Sequence, residues 1–342
     1  MQQIQEITDF LANALQYPVL DVRSPGEFAQ GHIPGANSFP LFTDDERAQV
    51  GTAYKQQSKE AAFLLGLEIV GPKMAQFVRD ARRIAPEGKV LVHCWRGGQR
   101  SGSMAWLLRQ AGLDVATLSG GYKNYRNSLL GDFHRQPLHI RVIGGPTGSG
   151  KTHILHALRE QGEQIIDLEA IAHHKGSAFG FIGEQPQPTV EQFENNLYAA
   201  VRQLDTTRRV WVENESHSIG RVYIPDGFWT QMKASRLYQL AIPLAVRIQN
   251  LLRDYVLENK EDLAIAFHKI ASKLGGLRLK QALEALEKHD FATAAGIALE
   301  YYDKTYQHGL QNNTSPDIRH IAFDHGNPDM IAQHLRELDH ND

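Results

Sequence analysis

The chain is nearly free of cysteine: Cys94 is the only one in 342 residues. No internal disulfide can form, so a disulfide scaffold is excluded and a reducing compartment, the cytoplasm, is expected. An excess of charge of either sign is missing too, because 36 basic against 39 acidic side chains leave a net of −3. Nothing global therefore advertises nucleic acid, and any RNA contact has to come from a local basic face. The start, Met1-Gln2-Gln3-Ile4-Gln5-Glu6, has neither the basic residues nor the apolar stretch of a signal peptide. No run approaches the roughly 18 apolar residues of a membrane span, so no membrane partner is expected. Repeats and low-complexity tracts are absent, and no coiled-coil pattern demands a dimer, so a monomer is expected. What remains, 42% hydrophobic and 22% charged, is the make-up of an ordinary globular protein. Single cores stop growing at about 250–300 residues, which predicts two domains.

The lone thiol has informative neighbours. Lys89-Val90-Leu91-Val92 reads as a buried strand, His93-Cys94-Trp95-Arg96-Gly97-Gly98-Gln99-Arg100 as a loop, and Ser101 to Leu108 as a helix. Backbone N–H groups in such a loop converge on an anion, and the helix start adds partial positive charge. Both effects lower a thiol pKa from about 8.5 toward neutrality. A free cysteine is otherwise a small buried apolar residue, yet Gly97, Gly98 and Arg100 are poor choices for a packed core. Cys94 is therefore read as a nucleophile and Arg100 as its anion-binding partner, with Arg96, Gly97 and Gly98 completing the anion site. Two chemistries fit: a phosphatase, whose thiolate attacks a phosphoester, or a chalcogen carrier.

The first half alternates short strands with helices, at Val19-Leu20-Asp21-Val22, Val90 to Val92 and Val115 to Leu118, which predicts a parallel sheet covered by helices. Gly120-Gly121 marks a turn, and Gly131 to Pro137 reads as the connection between domains spanning 1–134 and 135–342. A second strand, His139 to Ile143, leads into Gly145-Pro146-Thr147-Gly148-Ser149-Gly150-Lys151-Thr152, a complete G-x-x-x-x-G-K-T between strand and helix. Gly145, Gly148, Ser149 and Gly150 let the backbone wrap phosphate, Lys151 adds a cation, and the Thr152 hydroxyl can reach Mg²⁺. No tightly bound cofactor or other metal is expected. Glu213 and Glu215 follow the strand Val210-Trp211-Val212, where P-loop proteins often carry a carboxylate, and Asp167-Leu168-Glu169 stands similarly after another strand. His173 to Gly180, mixing base, glycine and aromatic residues, fits an anionic or apolar ligand but reads by default as a surface loop. The pattern beyond about Thr230 is helical. Arg208, Arg209, Arg221 and Arg278 are candidate RNA contacts that serve equally well as surface charges. The expected fold is α/β: a parallel-sheet domain, then a P-loop α/β domain with a helical C-terminal part.

Leu20-Asp21-Val22-Arg23-Ser24-Pro25-Gly26-Glu27-Phe28, followed by Gly31-His32-Ile33-Pro34-Gly35-Ala36-Asn37, resembles the rhodanese signature. Asp21 and Arg23 are read as loop anchors and Gly31 to Gly35 as a turn. Common rhodanese loops place arginine five positions after cysteine, whereas Arg100 follows six later, as in phosphatases sharing the fold. A rhodanese module joined to a P-loop module, with Lys175 to Gly180, Val212-Glu213-Asn214-Glu215-Ser216 and Tyr301-Tyr302-Asp303, resembles the tRNA 2-selenouridine synthase family. In that family an acidic residue stands at the place of Asn214 and a basic one at His217, so the role of this segment is not carried over. The resemblance implies geranylation of the wobble 2-thiouridine of tRNA by geranyl diphosphate, then replacement of the geranylated sulfur by selenium from selenophosphate. It implies Cys94 as the selenium carrier and the P-loop as the holder of geranyl diphosphate, with ATP the other candidate. Phe179 and Phe181 are candidates for the apolar pocket this requires. A rhodanese-fold phosphatase fused to a P-loop kinase-like domain and a non-catalytic anion-sensing NTPase remain the alternatives.

Overall fold

The computed structural model describes residues 4–255, 260–311 and 315–340. Met1–Gln3, the beginning of the N-terminal stretch considered above, lie outside them. The chain divides into two compact units, Met1–Asp132 and Phe133–Asp342. In the first, β1 (Ile4–Gln5), β2 (Val19–Asp21), β3 (Asn37–Ser38), β4 (Lys89–His93) and β5 (Asp114–Leu118) lie in the order β1-β5-β4-β2-β3, all parallel. β4 is central, between β5 and β2. A strand covered on both faces need not alternate, and Val90, Leu91, Val92 and His93 are all fully buried. The Gln99–Gln110 helix follows the cysteine loop and buries Ser101, Met104, Ala105 and Leu108, one face at helical spacing.

Lys59–Val70 and Met74–Ile84 are helices joined by the single turn Gly71–Lys73. Together Lys59–Ile84 form a 26-residue helical run with mean hydropathy 1.3 in its most apolar window, long and apolar enough to cross a membrane. This corrects the reading that no run approaches such a length; Glu68 and Lys73 interrupt the apolar residues and disguise the run. Its second half buries Phe77 and Ala81 in the core of the first unit, as the helix of a globular domain does.

A second correction concerns Gly131 to Pro137. The Gly121–Arg135 helix runs through most of it, and the two units part inside that helix. Leu129 and Phe133, four residues apart, are both buried, and their burial outweighs the ~1 kcal/mol helix penalty of a glycine.

The second unit holds β6 (His139–Gly144), β7 (Gln164–Ile166), β8 (Arg209–Glu213), the ribbon strands β9 (Ser218–Ile219) and β10 (Val222–Tyr223), β11 (Arg236–Ala241) and β12 (Ile318–Ala322). Its main sheet is parallel in the order β12-β11-β6-β8-β7. β11 and β12 lie where helices alone were expected. Polar residues hide β11: Arg236 donates to Asp317 at 2.6 Å, and buried Gln239 accepts from the Tyr306 hydroxyl at 2.7 Å. Each buried polar group has its partner, so the strand tolerates it. The helices Leu244–Tyr255, Lys260–Lys269, Gly276–Glu287 and Phe291–Gln311 make up the helical part that the sequence does predict.

Candidate functional site

In the first unit, Cys94 leaves the end of β4 and lies only 3% exposed, so the thiol forms the floor of its loop rather than its mouth. Its Sγ is 3.2 Å from Ser101 Oγ, and that hydroxyl donates to Gly98 O. Among the described residues, the backbone N–H groups of Arg96, Gly97 and Gly98 donate to no protein acceptor. They are available to an anion above the sulfur. Gly97 has φ +67°, and a Cβ there would sit 2.8 Å from Leu118 O. Gly121, at φ +61°, presses on the loop from behind, where a Cβ would overlap the Cys94 carbonyl oxygen and the Gly97 nitrogen. Tyr122 and Lys123 then donate their N–H groups to Cys94 O and Trp95 O, both at 2.9 Å. The Gly120-Gly121 turn is thus the back wall of the cysteine loop.

Arg100 is held by a residue that was not singled out as a site residue. Its Nη1 and Nη2 donate to Glu27 Oε2 and Oε1 at 2.6 and 3.2 Å. Glu27 also pairs with Arg47 at 3.0 Å and accepts from Ser24 N at 3.1 Å. Burial pushes this carboxyl up, but the hydrogen bond and charge of Arg100, with Ser24 and Arg47, bring it down to about 2. Beneath, fully buried Asp21 and Arg23 pair with each other; Arg23 also donates to Gly31 O at 2.6 Å and lies 3.8 Å from the Tyr122 ring centroid. These two tie the signature loops together. His93 is packed between Phe10 and Tyr122, and burial holds its pKa down at about 4, so it is neutral. Arg96 is exposed.

In the second unit, three neighbouring parallel strands converge at their C-terminal ends. β6 leads to the phosphate loop, and the Lys151–Glu160 helix follows, starting from Gly150 at φ +77°. Among the described residues, the N–H groups of Thr147, Gly148 and Gly150 donate to no protein acceptor. Arg247 braces the loop through Thr147 O at 2.8 Å and pairs with Asp303, while Asn250 donates to Gly148 O at 2.9 Å. β8 pairs with β6 in a register that sets Glu213 opposite Ile143. β7 is followed by Asp167, which caps the Leu168–Ala172 helix and so places Glu169.

The result is a carboxylate cluster. Glu169, Glu213 and Glu215 bring ligand oxygens within 4.8 Å of one another. Thr152 Oγ1 donates to Glu169 Oε2 at 3.0 Å, and both Glu213 oxygens are buried without a hydrogen-bond partner. Burial and the Glu215 charge push Glu169 up to about 8 against the pull of Lys151. Burial raises Glu213 well above the carboxylate range, assisted by Glu169, Asp167 and Glu215. Burial also raises Glu215, against Lys151. Lys151 loses by burial but gains more from these three acids, and its pKa rises. Gly176 packs so closely that a Cβ would lie 2.6 Å from Glu215 Oε2 and 2.9 Å from Glu169 Oε1.

From this polar floor a cavity of about 730 Å³ opens among the helices, lined by apolar residues such as Leu251, Phe267, Phe291 and Ala298. Lys175, Gly176, Ser177 and Phe179 line it as well, so this segment is a cavity wall and not the surface loop that was its default reading. Phe179 is buried with its ring 5.0 Å from Phe267. Phe181 does not line the cavity; its ring lies 3.5 Å from Lys269 Nζ. Of the basic candidates, Arg209 is a strut between Glu163 and Asp339, Arg208 donates to Gly162 O, and Arg278 pairs with Glu300. Arg221 uses its backbone N–H, donated to Gln187 Oε1 at 2.9 Å. Glu27, Ser101 and Gly121 escaped the sequence reading as functional positions. Ser101 directly follows Arg100 and Glu27 lies within the signature, so both were visible but carried no chemical cue by themselves.

Two family models match the chain: a rhodanese-like domain over residues 5–128, and a tRNA 2-selenouridine synthase AAA domain over residues 138–341. Curated relatives that match the chain carry the name tRNA 2-selenouridine synthase, among them the following three. The protein of Nitrosomonas europaea is 36% identical, the match covering 86% of this chain and 89% of the relative. That of Bdellovibrio bacteriovorus is 39% identical over 83% and 84%. That of a Sulfurovum species is 32% identical over 98% and 100%.

Proposed function

The chain belongs to the tRNA 2-selenouridine synthase family, and from that premise we propose that its two units divide one tRNA modification between them. The P-loop unit transfers a geranyl group to the sulfur of a wobble 2-thiouridine. The rhodanese unit mobilises selenium from selenophosphate, which replaces the geranylated sulfur. The chemistry needs both steps in this order. Sulfur doubly bonded to C2 is a poor leaving group, whereas an S-geranyl group departs as a thiol.

The observation that carries this reading is the joining of a phosphate loop to a largely apolar chamber in one cavity. A nucleotide needs donors for its base and sugar; a terpenyl diphosphate needs a phosphate cradle and a greasy sleeve. The N–H groups of Thr147, Gly148 and Gly150 and the Lys151 ammonium would take the diphosphate, and Leu251, Phe267, Phe291 and Ala298 the hydrocarbon. The thiocarbonyl sulfur attacks the allylic carbon, the carbon–oxygen bond to diphosphate breaks, and the N3 proton of the base is released. Lys151 stabilises the departing diphosphate. Three carboxylates facing a diphosphate call for a cation, and the unpartnered oxygens of Glu213 fit one. Thr152, Glu169, Glu213 and Glu215 would hold Mg²⁺, which when bound neutralises charge on the leaving group.

Calorimetric titration of geranyl diphosphate and of ATP into wild type and Lys151→Ala tests the assignment. Geranyl diphosphate should bind wild type and lose at least ~100-fold in the variant, a loss of about 2.7 kcal/mol. Tight ATP binding with no geranyl diphosphate binding would defeat it.

A further inference from the structure

We propose that Cys94 attacks the phosphorus of selenophosphate, not its selenium, so that the enzyme passes through a phosphocysteine and releases hydroselenide to the base. This rests on the reading above that selenophosphate is the donor. It departs from the selenium-bearing cysteine that the family resemblance implies.

Electron counting is the first argument. Selenium in selenophosphate and selenium in a 2-selenouridine have the same oxidation level. A selenium atom carried on cysteine sulfur is two electrons more oxidised, so loading it needs an electron acceptor and unloading it needs a reductant. With Cys94 the only cysteine, the chain has no second thiol to serve as either. Attack on phosphorus needs neither. The thiolate forms a sulfur–phosphorus bond, the phosphorus–selenium bond of the donor carrying its proton on selenium breaks, and the electron pair leaves with selenium as hydroselenide. Hydroselenide adds to C2 of the geranylated base and geranylthiolate departs, while the selenium-borne proton passes to N3. Water then cleaves the phosphocysteine, giving phosphate and the thiol.

The loop geometry is the second argument. Five residues separate Cys94 from Arg100, one more than in the common rhodanese loop. The longer loop with the free N–H groups of Arg96, Gly97 and Gly98 suits a tetrahedral phosphoryl group. Arg100 is fixed in orientation by two hydrogen bonds to Glu27. Ser101 Oγ, 3.2 Å from the sulfur, can turn its hydrogen from Gly98 O to the thiolate as it leaves during hydrolysis of the phosphocysteine.

The third argument concerns what the loop lacks. Cleaving an alcohol phosphoester requires a general acid for the leaving oxygen. The carboxylates around the loop are committed: Asp21 to Arg23, and Glu27 to Arg100 and Arg47. Glu27, held at about 2, carries no proton to give at neutral pH. Hydroselenide, the anion of a much stronger acid than an alcohol, leaves without such help. The site thus suits a phosphoryl donor with a selenium leaving group better than an ordinary phosphoester.

The test uses the full-length protein and selenophosphate labelled with ³²P, because phosphoryl and selenium adducts have nearly the same mass. After rapid quenching without RNA, wild type should show a burst of ³²P on the Cys94 peptide and an equal amount of hydroselenide trapped by an alkylating dye. Ser101→Ala should retain the burst and accumulate several-fold more label, because hydrolysis slows. Cys94→Ser should show neither. Selenium isotopes on the Cys94 peptide without ³²P would overturn the proposal. So would selenouridine formed from geranylated RNA at full rate with no label, a result that leaves selenophosphate as the donor. Failure of wild type to make selenouridine from these two substrates would instead remove the functional reading on which the proposal stands.

Discussion

On the proposed reading the two units share one task, holding a phosphate-bearing molecule above the end of a parallel strand, and they meet it with opposite electrostatics. Around Cys94 three arginines face two carboxylates, both paired: Arg100 and Arg47 meet Glu27, and Arg23 meets Asp21. Around Lys151 the excess is of carboxylates, three against one lysine, with two carboxylate oxygens unpartnered. A site with every carboxylate paired and an arginine in excess suits a small anion that arrives and leaves. One with carboxylates in excess is finished only by a cation or by protons, and on the proposed reading suits an assembled metal–diphosphate substrate. The difference teaches that similar strand–loop–helix geometry need not mean similar ligand requirements.

The comparison breaks most visibly at the thiol. Cys94→Ser should lower selenation by a factor on the order of 10³ or more, as for loss of a covalent nucleophile. Geranylation should stay within about twofold, both read by mass spectrometry of tRNA nucleosides. Equal loss of the two products would show that the units do not divide the labour. A smaller effect is expected in the chamber. Ala298→Phe fills space lined by Phe267 and Phe291, and should weaken geranyl diphosphate about tenfold while leaving a five-carbon allylic diphosphate nearly unaffected. At ~0.8 kcal/mol per buried methylene, exclusion of two carbons suffices. Comparable weakening of both ligands would place the hydrocarbon elsewhere.

The smallest effects are in stability, and their signs should be opposite. Glu27 titrates at about 2 in the fold against an ordinary 4.5. Its contribution is therefore present above pH 4.5 and lost as pH falls toward 2. Glu27→Gln should lower Tm by a few degrees at pH 7, a deficit that shrinks in acid. Glu213 is raised, so its ionisation costs the fold more as pH rises above 4.5. Glu213→Gln should therefore raise Tm in metal-free buffer at pH 8 and change little near pH 4.5. Calorimetry across pH reads both; shifts of the same sign at pH 8 would contradict the contrast drawn between the sites.

The sequence made much of this readable. The apolar run before Cys94 and the full G-x-x-x-x-G-K-T before the Lys151–Glu160 helix are local signals, and local signals survive in one dimension. What escaped depends on packing. Arg236 and Gln239 look unlike a central strand until Asp317 and Tyr306 are brought to them. Glu27 lies 73 positions from Arg100, and neither residue names the other. The cavity is assembled from four helices whose apolar faces could as well have closed on each other. Glu169 joins Glu213 and Glu215 only because β7 lies next to β8.

The contact between Gly121 and the Cys94–Gly97 backbone has a consequence for how such a loop can change. The loop and the turn behind it interlock main chain against main chain, with no side chain between them to absorb an insertion. Lengthening the loop by one residue, the step that separates Arg100 from the shorter rhodanese pattern, therefore requires a matching adjustment in the turn. The two segments form one heritable cassette. Anyone transplanting this chemistry into another scaffold should move residues 94–101 and 118–123 together, because either alone arrives without its mould.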